Sequence, residues 1–117
     1  MNFDLTPEQG AFRGVVRDFA AEVVAPQAAD ADREERFPLD VAKQMGALGL
    51  FGLPFPEAYG GSEADAITLC LAIEELGRVD QSVGITLSAA VGLAGTMIHR
   101  FGTEEQKERW LAPLCRG

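Results

Sequence analysis

From Gln81 to Ile98 the chain runs for eighteen residues without a charge, QSVGITLSAAVGLAGTMI, between Asp80 on one side and His99–Arg100 on the other. At helical period, Leu87, Val91, Ala94 and Ile98 form an apolar seam. Gly84, Ser88 and Gly92, with Gly95 and Thr96 beyond, form a small-residue face that another backbone or a ligand could approach closely. A helix with no charged face must be covered on all sides, so this stretch decides what the rest of the chain has to do. Its length also meets the threshold for a membrane span. Three glycines and five Ser, Thr or Gln residues make it a poor one, and no second apolar segment accompanies it. It reads as a buried central helix, with no membrane span.

Four further helices are expected around it. Thr6-Pro7-Glu8-Gln9 is a capping box with proline at the first helical position. The stripe Phe12, Val15, Val16, Phe19, Ala20 and Val23 follows, and Pro26 predicts a helix end near Ala25. Residues 27–37 are dense in charge and read as a solvated connection. Pro38 opens a short helix carrying Val41, Ala42, Met45 and Leu48, which Gly46 and Gly49 weaken and end. Residues 49–62, GLFGLPFPEAYGGS, break any long helix, yet Leu50, Phe51, Leu53, Phe55 and Tyr59 are too apolar for a free loop. A third helix runs from Ala64 to Leu76, with Asp65 at its positive end and Gly77 as its stop. Asp80 or Ser82 starts the central helix and Gly102 ends it. Thr103-Glu104-Glu105-Gln106 is a second capping box, opening a helix that Pro113 stops or bends.

No period-two run of β-branched residues occurs, so the fold class is all-α: a compact cluster of about five helices around the central one. Two of the five are apolar on nearly every side. A domain of 117 residues has trouble covering both, so part of that surface is meant for another domain. A net charge of −8, with only two lysines and no basic stripe, argues against a nucleic-acid partner. Cys70 and Cys115 are far apart and support neither zinc nor a disulfide; Cys70 reads as a buried thiol. The acidic N-terminus lacks a signal-peptide pattern, and a reducing cytoplasm fits best.

The residues themselves carry little chemistry. His99 stands at a helix end, where it serves the dipole. Glu74 and Glu75 are adjacent, so their side chains diverge and cannot pair as acid and base. No nucleophile elbow, phosphate loop, dinucleotide fingerprint or metal-ligand cluster is present. What the central helix can do is shape an apolar slot, with Thr86 and Ala90 one turn apart and Leu87 and Ala94 beside them. Plain helix packing would use the same small residues.

Two segments carry a resemblance. GLPFPEAYGG at 52–61 resembles the Pro-Glu-x-Tyr-Gly-Gly loop of the acyl-CoA dehydrogenase family, and FGTEEQK at 101–107 with WLAPL at 110–114 resembles its Phe-Gly-Thr-Glu-Glu-Gln-Lys helix. Order, spacing and the opening LTPEQ agree as well, so the resemblance covers essentially the whole chain. It implies the α-helical N-terminal domain of an enzyme that also has a middle β-barrel and a C-terminal helical bundle. Such enzymes are usually tetramers, hold FAD between the latter two domains and oxidise acyl-CoA thioesters to 2,3-enoyl-CoA. They pass electrons to an acceptor such as an electron-transfer flavoprotein.

The family's Thr-Glu-Pro-x-x-Gly-Ser-Asp segment and catalytic glutamate are not among residues 1–117, so the resemblance assigns no catalytic residue here and places FAD outside this chain. Its N-terminal domain helps wall the acyl pocket, which makes Thr86, Leu87, Ala90 and Ala94 the expected lining, for a short to medium or branched acyl group. Two rival readings share the sequence. A free-standing helical interaction module would show a charged face where the apolar one is expected. A same-fold oxidase would differ in using oxygen rather than an artificial electron acceptor.

Overall fold

Thr6 begins the first helix as expected. Its hydroxyl accepts from the Gln9 N–H at 3.1 Å, and the Gln9 side chain accepts from the Thr6 N–H at 3.0 Å. The computed structural model describes residues 1–117. Helix α1 does not end before Pro26; it continues over 7–33 through the stretches Pro7–Phe19, Ala20–Val24 and Ala25–Arg33. The middle stretch explains why. There the hydrogen bonds widen to five residues, and the Ala25 N–H donates to the Ala20 carbonyl. A widened turn just ahead of Pro26 relieves the clash with the preceding turn that normally stops a helix. The connection expected at 27–37 is therefore half helix.

Pro113 repeats the arrangement. Helix α5, residues 104–116, carries wide turns over Lys107–Leu111, and the Ala112 N–H donates to the Lys107 carbonyl. Both prolines follow an alanine whose N–H reaches five residues back, and both helices run on.

Between α1 and α5 lie α2 (Leu39–Ala47), two single 3₁₀ turns (Leu50–Gly52 and Glu57–Tyr59), α3 (Ala66–Val79) and α4 (Gln81–Phe101). There are no strands. The all-α class and the five helices are those expected from the sequence. The 50–62 segment packs inward, with Leu50, Phe51, Leu53 and Phe55 all buried. Gly77 does not stop α3. A Cβ on Gly84 would lie 2.8 Å from the Gly77 Cα, so this glycine pair lets α3 and α4 cross backbone to backbone. Cys70, expected inside, is exposed on α3, while Cys115 is buried.

Helix α3 lies between α1 and α4, and α5 closes on the second half of α4. The domain is a slab of 41 × 40 × 21 Å. Its thin dimension is about two helix diameters, so α4 has a neighbour beneath it and none above. By length and composition α4 could cross a membrane. Its Val83, Leu87 and Val91 instead belong to the domain's core.

Candidate functional site

Asp80 caps α4, its carboxylate accepting from the Ser82 N–H at 2.9 Å and the Ser82 hydroxyl at 2.7 Å. From there the buried positions recur every four residues: Val83, Leu87, Val91 and Gly95. In an ordinary α-helix, steps of four drift by roughly 40° each and would carry this row off the core. Over Ser88–Gly95 the helix widens, and the widening cancels the drift. The Thr96 hydroxyl donates to the Val91 carbonyl, five residues back, at 2.9 Å.

The same register holds on the outer side. Ile85, Ala89, Leu93, Met97 and Phe101 form a ridge, with exposures of 55% at Ile85, 70% at Leu93, 59% at Met97 and 74% at Phe101. Trp110 of α5, also exposed, stands beside its far end. This is an uncharged, apolar strip on a helix that nothing in the chain covers, and it is the candidate site.

The four expected lining residues fall in different places. Ala94 is exposed and Ala90 half-buried, both flanking the ridge. Thr86 is half-buried, donates to the Ser82 carbonyl at 2.8 Å and lines a shallow groove between the end of α1 and the start of α4. Leu87 is fully buried. It belongs to the four-residue core repeat, so it cannot line a surface open to a ligand. The expected small-residue face is also split: Gly84 and Gly95 turn inward, Gly92 outward. Sequence reading missed Ile85, Ala89, Leu93 and Met97, although their step of four was visible; an assumed seam at Ala94 and Ile98 masked it.

The groove holding Thr86 has Asp32, Glu35 and Asp80 on its rim against Arg36 alone. That surplus of carboxylates does not suit a diphosphate, so the residues of this groove do not fit FAD. No three of its His, Cys, Asp or Glu side chains converge as a metal site.

Charge concentrates away from α4. Glu75 on α3, almost fully buried, accepts from Arg13 Nε at 2.8 Å, from Arg17 Nη2 at 2.8 Å and Nε at 3.2 Å, and from Arg78 Nη2 at 2.9 Å. The Arg17 hydrogen bonds lead in holding its carboxyl down at about 2, against the opposing effect of burial. Glu74 stays exposed, so the two glutamates do diverge. His99 meets Phe55 edge to face at 5.8 Å.

A family model for the acyl-CoA dehydrogenase N-terminal domain matches residues 6–117. A Bacillus subtilis protein named a probable acyl-CoA dehydrogenase is 49% identical over 117 residues, covering all of this chain and 31% of the relative. Among solved structures, butyryl-CoA dehydrogenase from Megasphaera elsdenii superposes with a TM-score of 0.91 at 38% identity, over 99% of this chain and 31% of that one. A chain from a structure of the electron transferring flavoprotein of Acidaminococcus fermentans gives 0.95 at 42%, over 100% and 31%. The chain thus spans about a third of the length of the proteins it matches. Its five helices, its uncovered α4 and these matches agree: the chain belongs to the acyl-CoA dehydrogenase family, of which it carries the N-terminal domain.

Proposed function

We propose that residues 1–117 serve as the N-terminal domain of an FAD-dependent enzyme that oxidises an acyl-CoA thioester to the 2,3-enoyl-CoA, and that α4 supplies one wall of the acyl pocket. The observation that carries this is the apolar outer ridge of α4, Ile85 to Phe101. An enzyme that takes an aliphatic chain out of water needs such a surface. Ala89, Ala90 and Ala94 keep the wall low along its middle, and Thr86 stands at its start.

A ridge of this length exceeds the reach of a short acyl group. Its far end, with Phe101 and Trp110, docks on the flavin-binding domains, which hold the FAD and supply the catalytic base. The butyryl-CoA specificity named for one structural neighbour favours a short acyl chain. Tetrameric assembly, a cytoplasmic location and electron transfer to an electron-transfer flavoprotein complete the reading; the Acidaminococcus structure is consistent with that acceptor.

The test uses the complete protein that carries this domain, with kcat/KM measured for butyryl-CoA and hexanoyl-CoA. Ala90→Leu and Ala94→Leu lower the hexanoyl value by about tenfold more than the butyryl value, the lower range of what one methylene is worth in an apolar pocket. Equal losses on both substrates sink the reading.

A further inference from the structure

Phe55 sits in the segment bearing the Pro-Glu-x-Tyr-Gly-Gly motif and is 2% exposed. Its ring lies directly beneath Gly95 of α4. A Cβ on Gly95 would fall 2.5 Å from Phe55 Cζ and 2.9 Å from Cε2, so the ring already occupies the place of a side chain. His99 and Leu114 confine that ring: His99 meets it edge-on, and Leu114 Cδ2 would lie 3.0 Å from the same Cβ. Its backbone is fixed as well. The Phe55 N–H donates to the Gly52 carbonyl at 3.1 Å, and its carbonyl accepts from the Glu63 N–H at 3.0 Å. Gly61 packs on that carbonyl so tightly that a Cβ there would come within 2.0 Å of the oxygen. Phe55 is a rigid post.

What it supports is the softer partner. The wide turns of α4 span Ser88–Gly95 and end at the contact with the ring. Wide turns are local departures from regular helix and yield more readily than its ordinary ladder. Leu93 and Met97 stand each two residues from Gly95, on the side of the helix turned away from Phe55, and both are exposed. A change in the spacing between Phe55 and Gly95 therefore moves the outer ridge by a similar amount.

We propose that Phe55 and Gly95 act together as a spacer that sets how far residues 90–97 stand into the acyl pocket, which makes Phe55 a positioning residue for acyl-chain length. This rests on the reading that α4 walls that pocket. A smaller side chain at 55 lets α4 sink and deepens the pocket. A methyl group at 95 lifts α4 and makes the pocket shallower.

The experiment measures kcat/KM for butyryl-CoA and hexanoyl-CoA in the complete, FAD-loaded protein, together with Kd for the matching enoyl-CoA products. Phe55→Leu raises the hexanoyl-to-butyryl ratio by about tenfold and Gly95→Ala lowers it by about tenfold. The double variant returns toward the parent ratio, because the added methyl fills the space the shorter side chain leaves. Mere damage to the fold would lower both substrates together in both variants, and that result overturns the spacer. Phe55→Met, of nearly the same volume as leucine but longer and more adaptable, replaces Phe55→Leu if the latter does not fold. Ala89→Leu, which alters the ridge directly, separates the two ideas. If it shifts the ratio while the variants at 55 and 95 do not, the wall stands and the spacer falls; if none shifts it, the wall reading falls too.

Discussion

The seam between α1 and α3 and the seam between the 50–62 segment and α4 are built from opposite materials. The first adds to the buried Val16 and Ala20 of α1 and Ala72 and Leu76 of α3 two long charged side chains, Arg13 and Arg17, that reach from α1 to the buried carboxylate of Glu75. Such arms bend, so the ion pairs themselves demand no single spacing. The second is tightest at two glycines: Gly95 of α4 lies on the Phe55 ring, and within the segment Gly61 lies on the Phe55 carbonyl that backs that ring. Missing atoms, not added ones, define its shape. The glycine-built seam lies under α4, the helix proposed to wall the acyl pocket, and the charged one lies between α1 and α3. The closest backbone approaches thus stand beneath the apolar ridge of α4, and the buried ion pairs stand on α3.

The largest effect comes from breaking the rigid seam. In Gly61→Ala the new methyl would fall 2.0 Å from the Phe55 oxygen and 2.4 Å from its carbonyl carbon, with the Gly52 oxygen at 2.7 Å. These are backbone atoms tied into the segment's hydrogen bonds, so the strain has no cheap outlet. A loss of about 3 kcal/mol in unfolding free energy by urea titration is expected. A loss under about 0.5 kcal/mol, the range of an ordinary surface change, would show that this seam gives as readily as the charged one.

Breaking the charged seam costs less and depends on pH. Glu75→Gln replaces charge-assisted bonds by neutral ones and turns an amide donor toward arginines, for a loss of about 2 kcal/mol at neutral pH. The folded carboxyl is held at about 2 against an ordinary 4.5. The unfolded chain therefore takes up this proton first as the solution is acidified. The stabilisation is complete above about 4.5 and is lost as pH falls toward 2. Urea midpoints of parent and variant should converge over that window; a gap that stays constant through it would remove Glu75 from the account.

Much of the helical frame was legible because capping is local. Thr6, Asp65, Asp80 and Thr103 each bond to a backbone N–H two or three residues on, and the sequence shows both partners. The continuations through Pro26 and Pro113 were not legible, because no side chain announces a turn that widens to five residues. Nor was the inward turn of Leu87. The choice between Leu87 and Ile85 as outer residue depends on the drift per turn, which the wide stretch changes. The burial of Glu75 rather than Glu74 depends on Arg13 and Arg17, some sixty residues earlier. Their spacing of four on one face was the available sign. In the candidate site the uncovered strip was foreseeable from composition; its register had only the step of four from Ile85 to Met97 as a sign.

The smallest expected effect falls where the two motif-bearing segments meet. The Tyr59 hydroxyl donates to the Glu104 carboxylate, which also accepts from Lys107 at 3.3 Å. The hydrogen bond raises the tyrosine's pKa and lowers the glutamate's. Both side chains lie at the rim, where water replaces a lost partner, so Tyr59→Phe should leave the unfolding midpoint essentially where it was. Its effect belongs to the turn alone. The Gly60 and Gly61 amides, bonded to the Glu57 and Pro56 carbonyls, should exchange faster with solvent while amides of α3 and α4 do not change. A cooperative loss like that of Gly61→Ala would mean that this surface bond, and not the glycine contact beneath it, holds the segment down. The tight seam would then depend on the same adjustable polar pairing as the other one, and Phe55 would no longer be a fixed post beneath α4.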